Sequence, residues 1–261
     1  MECLAVIEID KLNKSFGDNH VLKDFSMKLY KGENLVVLGK SGSGKSVLIK
    51  CIIGLMDPDS GRIKVLDKDI SEYNRQQLDK MRVKVGFLFQ SNALYDSMTV
   101  RENLEFPLRR HWMKETQERS EVDALVMDAL EDVGLAHTVD MMPAELSGGM
   151  RKRIALARTL ILKPEIILYD EPTTGLDPIT GREISELILD VQEKYNASSI
   201  IISHDMNCIS ITSNRVVMLI DGKCYEEGKF SELRKSKDEK VRNFFISDSS
   251  IKDRKDENQS Y

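Results

Sequence analysis

The sequence predicts an α/β fold with a parallel core sheet, an antiparallel β subdomain and an inserted helical subdomain. Short apolar runs alternate with helical patterns after residue 160, which is typical of the strand–helix units that build a parallel sheet. Before residue 40, apolar and polar residues alternate, which indicates half-buried strands beside that sheet. Between these regions, residues 91–145 have mostly helical spacing.

Before residue 90 the pattern predicts short strands and one helix. Every second residue from Phe25 to Leu29 is apolar, and residues 34–38 form a short apolar run that ends at a glycine-rich stretch. Residues 45–55 then change to helical spacing, and residues 83–89 are predicted to form a buried strand. The apolar face of the predicted helix consists of Leu48, Ile52 and Leu55.

After residue 90 the pattern predicts helices first and alternating elements later. Helices are predicted over 99–108 and around 122–133. The later elements are a strand at 165–169, a helix at 179–194, a strand at 199–203, a short helix at 205–213 and a strand at 215–220. Asp221 and Gly222 lie between two apolar runs, which predicts a hairpin.

The composition argues against several classes of function. The chain has 261 residues, 41% of them hydrophobic, which is enough for one large domain with a buried core. There are 38 basic and 43 acidic residues, and the net charge of -5 argues against a nucleic-acid partner, which needs a basic surface. No apolar run approaches the ~20 residues of a membrane-spanning helix.

The N-terminal residues and the cysteines predict a reducing, cytosolic environment. Residues 1–4 lack a basic segment followed by a long apolar core, so we expect no secretion signal. The cysteines are scattered and form no Cys-x-x-Cys pair, so neither a disulfide framework nor a zinc site is expected. They are Cys3, Cys51, Cys208 and Cys224.

Residues 39–46 fit the phosphate-loop pattern G-x-x-x-x-G-K-[ST] and lie between a predicted strand and a predicted helix. Glycines let backbone N–H groups converge on phosphate oxygens, and the following helix adds its positive end. Lys45 would neutralise the terminal phosphates, and the Ser46 hydroxyl would coordinate Mg²⁺. An ordinary Gly/Ser turn is the alternative. The loop consists of Gly39, Lys40, Ser41, Gly42, Ser43, Gly44, Lys45 and Ser46.

Two carboxylates end the predicted strand at 165–169. A buried strand can carry Asp170 to the magnesium ion, as the second-strand aspartate of P-loop NTPases does. Glu171 could then orient or deprotonate an attacking water. Alternatively, the two acids only cap the strand before Pro172.

Three further features have weaker signals of their own. Ser147 and two glycines open a helix rich in basic residues, which is a second potential anion site or a simply capped helix. His204 follows a predicted strand, where it could reach a γ-phosphate, although a single histidine is more often structural. Gln90 ends another strand, where its amide could touch magnesium or water.

In this order, the motifs resemble those of the ATP-binding cassette (ABC) family, and the resemblance runs from about residue 7 to 230. It implies the P-loop NTPase cassette fold and two cassettes that hold two ATP molecules head to tail. Each ATP would lie between the phosphate loop of one chain and the Leu-Ser-Gly-Gly loop of the other, which explains two anion sites in one chain. The residues that would contact the partner's ATP are Ser147, Gly148 and Gly149.

The resemblance also implies a role for the other motif residues. Glu171 would be the catalytic base, and His204 would contact the γ-phosphate. Phe16 would stack on adenine, Gln90 would link the magnesium to the membrane partner, and Asp177 would lie in the loop that crosses the dimer interface. The residues that would hold Mg²⁺ are Ser46, Gln90 and Asp170.

A narrower resemblance concerns cassettes of the bacterial Mla/Mce lipid-transport systems, and it rests on residues 89–103, 146–153 and 177–180. It implies transport of phospholipids or other hydrophobic molecules between membranes. The chain would be a peripheral homodimer on the cytoplasmic face of the inner membrane, bound to transmembrane permease subunits and with a possible MCE-domain substrate-binding protein. Within the assembly, Leu94, Tyr95 and Met98 would contact the permease or, alternatively, fill the core of the helical insert.

Two residues depart from the common cassette pattern. Met150 occupies the place of a glutamine that, in the family that the chain resembles, usually lies near the partner's ribose, a change that the lipid-transport cassettes share. Val47 follows Ser46 where a hydroxyl residue is common, so one contact to the α-phosphate would be missing. We expect loose selectivity for adenine, because stacking on Phe16 involves no hydrogen bond to the base.

Three rival interpretations stay open. The first is another cassette transporter, such as an amino-acid importer or a lipoprotein-release machine. The second is a non-transport cassette ATPase that acts on DNA or ribosomes, although such proteins usually carry two cassettes or a long coiled coil. The third is a degenerate cassette with a purely structural role.

The predicted ABC ATPase domain covers residues 1–246, with the helical subdomain at about 91–160. Residues 247–261 form a polar tail that we expect to be disordered unless a partner holds it. Just before the tail, Phe244 and Phe245 interrupt a charged stretch, so this end either grips a neighbouring chain or is loosely solvated.

Overall fold

The computed structural model describes residues 4–111 and 119–245. Its centre is a six-stranded sheet in the order β10-β9-β3-β8-β7-β6, in which the five strands other than β10 run parallel. These strands are β3 (Asn34–Leu38), β6 (Val85–Leu88), β7 (Ile166–Asp170), β8 (Ser198–Ser203), β9 (Arg215–Ile220) and β10 (Lys223–Gly228). The predicted parallel core sheet is confirmed, and β9 and β10 form the predicted hairpin.

A second, antiparallel sheet of four strands has the order β2-β1-β4-β5. Its strands are β1 (Ala5–Phe16), β2 (Asn19–Tyr30), β4 (Ser60–Val65) and β5 (Lys68–Asp69). This sheet is the predicted antiparallel β subdomain. The first two strands are 12 residues each, not short as predicted. Irregularities in the register of β1 with β2 break the apolar alternation and hide the length of both strands from the pattern.

Most of the described helices lie in the insert and in the second half of the chain, and two precede the insert. They are α1 (Lys45–Ile52), α2 (Arg75–Lys84), α3 (Val100–His111), α4 (Arg119–Glu131), α5 (Gly148–Leu160), α6 (Pro178–Tyr195), α7 (Met206–Thr212) and α8 (Phe230–Leu233). Short 3-10 turns occur at Ile70–Glu72, Ala136–Thr138 and Pro143–Glu145. Helices α3 and α4 confirm that the insert is mostly helical, whereas its exact limits remain a prediction.

The central sheet separates two apolar cores. Alternate residues of each strand point to opposite faces, as Ile167 and Tyr169 on one side of β7 and Ile166 and Leu168 on the other illustrate. One core lies under the helices of the insert and of the second half, and the other lies under α1 and the antiparallel sheet. Both faces of a parallel sheet are thus covered, which leaves its carboxyl ends free to carry a site.

The limits of two predicted elements are wrong. Helix α1 ends at Ile52, and Gly54 has a φ of 63°, the left-handed conformation that often follows a helix end. Leu55 therefore leaves the apolar face and is 54% exposed. The strand predicted at 83–89 begins only at Val85, because the unpredicted helix α2 extends to Lys84.

The end of the described chain packs on its own core. Residues 239–245 are helical, Val241 is fully buried, and the Phe245 ring lies 5.7 Å from that of Phe230. A loosely solvated end is therefore wrong for this segment, whereas the tail at 247–261 lies outside the described residues. Among the described residues, no helix is long and apolar enough to cross a membrane.

Candidate functional site

The phosphate loop lies where the sequence predicts it, between the end of β3 and the start of α1. Gly42 has a φ of 75° and Gly44 a φ of 103°, backbone conformations that cost free energy for residues with a Cβ. A Cβ on Gly44 would also come within 2.6 Å of the Val21 side chain. Glycine at position 44 thus allows the loop to pass close to β2 with its backbone turned toward the start of α1.

Lys45 lies buried in the middle of this loop. Its ammonium donates hydrogen bonds to the carbonyl oxygens of Gly39 at 2.8 Å and Lys40 at 3.0 Å. Burial lowers the pKa of Lys45, and the charges of Glu171 and Asp170 act in the opposite direction. The loop therefore holds a cation at its centre, where the terminal phosphates of a nucleotide would bind.

Ser46, in the first turn of α1, contacts Asp170 at the end of β7. The Ser46 hydroxyl donates to Asp170 Oδ1 at 3.2 Å. Burial raises the pKa of Asp170, and the bond from Ser46 partly offsets this shift. A hydroxyl and a carboxylate in contact are the kind of oxygen pair that holds Mg²⁺ together with phosphate oxygens and water, so these two residues fit that ion.

Glu171 occupies the centre of a network at the end of β7. Its backbone has a φ of 52°, a strained conformation that its own N–H, bonded to Ile202 O at 2.9 Å, helps to hold. The Nδ1 atom of His204 lies 2.9 Å from the Glu171 carboxylate, and the Lys45 ammonium lies 3.9 Å from it. Thr174 Oγ1 also donates to Glu171 Oε2 at 3.3 Å. Glu171 is thus almost buried, whereas the His204 side chain is 65% exposed.

Most of the predicted site residues of one chain line a single cleft of about 540 Å³. The predicted residues that line it are Phe16, Ser41, Gly42, Gly44, Lys45, Ser46, Gln90, Glu171 and His204. Phe16 stands at the end of β1 with 49% of its surface exposed, as a ring available for stacking would. The carboxyl ends of four parallel strands, β3, β6, β7 and β8, and the end of β1 therefore converge on one space of nucleotide size.

The remaining loop residues lie beside or below this cleft. Lys40 and Ser43 line a neighbouring cavity of about 400 Å³, which residues 41 and 42 also border. Gly39 is packed closely, because a Cβ there would come within 2.6 Å of Ser43 Oγ and 2.8 Å of Leu219 O. Asp170 does not line the cleft but touches it through Ser46.

The Ser-Gly-Gly motif does not line the cleft of its own chain. Ser147 is the N-cap of α5, and its hydroxyl accepts a bond from Met150 N at 3.2 Å. A Cβ on Gly149 would come within 2.6 Å of the Thr180 side chain, so glycine allows α5 to approach α6. Asp177 caps α6 there by accepting bonds from Ile179 N and Thr180 N, both at 3.1 Å.

The contacts of Asp177 explain its ionisation. Hydrogen bonds from Thr180 and Ile179 lower the pKa of Asp177 and keep it ionised at the positive end of α6. The predicted roles of Asp177, Ser147, Gly148 and Gly149 at a dimer interface are not tested by a single chain and remain predictions.

Sequence reasoning missed two residues near the site. Thr174 orients the Glu171 carboxylate, and Lys152 of α5 is only 2% exposed and donates to Gln90 O at 3.0 Å. A signal for Lys152 existed, because it stands four residues before Leu156 and eight before Leu160 on a helical face that is otherwise apolar.

The segment predicted to contact a permease is only partly exposed. Leu94 and Met98 are half-buried, and Leu94 packs against the core under the helices. Tyr95 is 43% exposed, and its ring lies 4.8 Å from that of Phe106. The alternative of core filling therefore holds for Leu94, and a contact with a permease remains a prediction for Tyr95.

The family profile described as "ABC transporter" matches residues 22–174. This match covers the phosphate loop, the Ser-Gly-Gly motif and the Asp170–Glu171 pair. The chain therefore belongs to the ABC transporter family, as the resemblance implied.

Curated relatives have names that point to different cargoes. The chain is 41% identical over 215 residues to the "Probable ribonucleotide transport ATP-binding protein mkl" of Mycobacterium leprae, covering 82% of this chain and 61% of that protein. It is 37% identical over 218 residues to the "Methionine import ATP-binding protein MetN" of Clostridium tetani, covering 84% and 67%. It is also 37% identical over 258 residues to "Protein TRIGALACTOSYLDIACYLGLYCEROL 3, chloroplastic" of Arabidopsis thaliana, covering 92% and 73%. The chain thus spans only about three fifths of the mkl relative.

A solved structure with the same fold identifies the kind of unit within the family. The "Dimeric structure of a post-hydrolysis state of the ATP-binding cassette MJ0796 bound to ADP and Pi" superimposes with a TM-score of 0.77 at 30% identity, covering 85% of this chain and 98% of that one. The chain is accordingly an ATP-binding cassette, and the predicted cassette fold is confirmed.

Proposed function

We propose that this chain is the ATP-hydrolysing subunit of an ABC transporter and that it works as a homodimer on a membrane-embedded permease. The observation that carries the proposal is the cleft in which Lys45, Glu171 and His204 meet the phosphate loop. The structural neighbour that was solved as a dimer with ADP and phosphate supports both the ligand and the assembly.

The reaction would use side chains that already face one another. Lys45 would exchange its carbonyl partners for phosphate oxygens and neutralise their charge. Glu171 would accept the proton of a water that attacks the γ-phosphorus, and the bond from that phosphorus to the bridging oxygen would break to give ADP and phosphate. His204, held 2.9 Å from the same carboxylate, would contact the γ-phosphate. Mg²⁺ held by Ser46 and Asp170, with Gln90 nearby, would neutralise phosphate charge.

The dimer would complete the site. Ser147 caps α5 outside the cleft of its own chain, so the N–H groups of the first helical residues before Met150 would be available to phosphates held by another chain. Each ATP would then lie between the phosphate loop of one chain and residues 147–149 of the other. Release of the γ-phosphate would remove the shared contacts, open the dimer and move the permease.

The assembly and its cargo form the finer part of the proposal. We place the homodimer on the cytoplasmic face of a bacterial inner membrane, bound to a permease through the surface around Gln90 and Tyr95. For cargo we propose phospholipid or another hydrophobic molecule, with an MCE-domain protein as a possible further partner. The lipid named in the Arabidopsis relative supports this choice, whereas the names of the mkl and MetN relatives favour ribonucleotide and methionine.

The two-chain site is tested by Ser147→Arg in a Glu171→Gln background that hydrolyses ATP slowly. The bulky arginine should block ATP-induced dimer formation in sedimentation velocity and leave ATP binding by the monomer unchanged. Ser231→Arg, at an exposed serine of α8, is the matched control and should dimerise normally. A dimer that still forms with Ser147→Arg would rule out the sandwich.

The cargo is tested by purifying the tagged chain from its native membrane and identifying the bound proteins. A permease together with an MCE-domain protein would support lipid transport. A permease with an amino-acid-binding protein would support an importer of the MetN kind, and ribosomes or DNA would support a non-transport ATPase.

A further inference from the structure

The segment 90–95, which we call the Gln90 loop, has an unfavourable backbone conformation. Asn92 has a φ of 63° and Ala93 a φ of 51°, so two consecutive residues without a glycine lie in the left-handed region. Alanine has no side-chain polar group that could compensate, and such a conformation persists only where surrounding contacts hold it. The contacts that hold this loop should therefore be identifiable.

Two basic residues of α5 hold the Gln90 loop from one side. Lys152 donates to Gln90 O at 3.0 Å. Arg158 donates to Asn92 O at 3.1 Å and to Ala93 O at 2.9 Å. The carbonyls of three loop residues, including both strained ones, thus accept bonds from one helix.

Asn103 of α3 holds the other end of the loop. It is fully buried, its Oδ1 accepts a bond from Tyr95 N at 2.8 Å, and its Nδ2 donates to Tyr95 O at 3.1 Å. Arg158 also reaches Asn103 Oδ1 at 3.4 Å. The loop is therefore bonded both to α5 and, through the buried amide of Asn103, to α3.

Lys152 is an unusual residue to hold the loop, because its charged side chain is buried. It is 2% exposed, its ammonium has three donors, and one of them meets a described acceptor, the Gln90 carbonyl. Burial lowers the pKa of Lys152, while the charges of Asp170 and Glu171 act against that shift. A buried cation that is incompletely bonded opposes folding, so apolar packing would serve stability better.

We infer that Lys152 and Arg158 are positioning residues that fasten the Gln90 loop to α5, so that Gln90 and Ser147 move together. Ser147 caps the same helix five residues before Lys152. When a partner's nucleotide displaces this helix end, the two cations transmit the displacement to Gln90 at the edge of the cleft. The transmission of movement during turnover rests on the proposed function. The hydrogen bonds that fasten the Gln90 loop to α5 do not depend on that function.

The test compares Lys152→Met, Lys152→Arg and the control Arg182→Met, whose exposed guanidinium pairs with Glu186 on its own helix. Amide hydrogen exchange of the peptide covering the Gln90 loop is measured without nucleotide, together with the Tm. We expect roughly tenfold faster exchange in this peptide for Lys152→Met, at an unchanged or higher Tm. Lys152→Arg and Arg182→Met should exchange like the unmodified chain.

Steady-state kinetics of ATP hydrolysis then test whether the bond from Lys152 to the Gln90 loop affects turnover. Lys152→Met should lower kcat for ATP hydrolysis with little change in KM, and Lys152→Arg should restore it. Exchange in the Gln90 loop that stays unchanged in Lys152→Met would overturn the inference. So would a fall in Tm with faster exchange throughout the chain, because that result describes a purely structural residue. Failure of the unmodified chain to hydrolyse ATP would contradict the proposed function instead, since the exchange experiment contains no nucleotide.

Discussion

The cleft at the phosphate loop and the start of α5 are both built around the positive end of a helix, yet their surroundings differ. In the cleft, the sheet brings Lys45 and His204 within ion-pair or hydrogen-bonding distance of the same Glu171 carboxylate. At the start of α5, Ser147 caps the helix, and the neighbouring groups of Asp177 and Thr180 are occupied with capping α6. The cleft has the groups for chemistry, whereas the helix start has only a binding surface.

In the proposed dimer, this difference would assign the chemistry to one chain and an additional phosphate contact to the other. A cluster of charged groups inside one chain can be folded and held before nucleotide binds. A helix start that has only its own cap binds an anion only when another molecule supplies one. Substitutions in the cleft should therefore change ATP affinity in the monomer or the chemical step in the dimer, whereas substitutions at Ser147 should leave affinity in the monomer unchanged and lower hydrolysis only by preventing assembly.

The largest effect should follow Glu171→Gln, which tests whether the chemistry belongs to the cleft. Glutamine keeps the shape and a hydrogen-bond acceptor for the neighbours of Glu171 but cannot accept a proton from water. We expect hydrolysis to fall by roughly 10²–10⁴-fold, with ATP binding retained, as measured by phosphate release and equilibrium titration.

Glu165→Gln is the matched control for this substitution. Glu165 precedes the other end of β7 and pairs with Lys84 at the surface at 2.7 Å. Its replacement should leave turnover unchanged. Normal turnover in Glu171→Gln would remove Glu171 from the role of base and with it the chemical difference between the two regions.

A smaller effect should follow Lys45→Ala, which tests whether the cleft alone binds nucleotide. Loss of one charge-assisted contact in a phosphate site costs about 2–3 kcal/mol, or about 30- to 150-fold in affinity. The measurement is an ATP titration of the monomer. Lys50→Ala, at an exposed lysine of the same helix, should bind ATP almost normally, and equal losses in both variants would indicate a general charge effect.

The motifs of the cleft were predictable because each is contiguous in sequence and stands at a strand end. Parallel strands bring their carboxyl ends to one edge, so Lys45, Asp170 and His204 had to converge once the strands were recognised. Helix α2 was not predicted, because its residues are strongly polar and only Met81 among them is buried. The pattern offered no apolar stripe there.

The fastening of the Gln90 loop was not predictable for a different reason. Lys152 and Gln90 are 62 residues apart, and the acceptor is a backbone carbonyl, which carries no sequence signal. Leu55 was misplaced because the left-handed turn at Gly54 ends the helix although the apolar spacing continues. Long-range hydrogen bonds and local backbone conformations, rather than side-chain patterns, account for these differences.

The smallest effect should follow Asp170→Asn, which tests whether the cleft carries an electrostatic cost before ligand binds. Burial raises the pKa of Asp170 above its ordinary value of 3.8, so the folded chain holds this proton more tightly than the unfolded chain. Stability from this group is therefore present below pH 3.8 and is lost as the pH rises through the raised pKa. Asparagine keeps an acceptor for Ser46 without a charge, so it should raise the free energy of unfolding at pH 7 by roughly 1 kcal/mol.

Urea unfolding of the chain without nucleotide, at neutral and acidic pH, measures this gain, which should shrink as the pH falls because Asp170 becomes neutral in both states. Asp190→Asn, at an exposed site on α6, should give no such pH-dependent gain. Adding ATP with Mg²⁺ should reverse the order, because the variant lacks a carboxylate to hold the ion and gains less stability from the ligand. A loss of stability at pH 7 without ligand would mean that the Asp170 carboxylate is already compensated, and the cleft would then carry no electrostatic cost that distinguishes it from the start of α5.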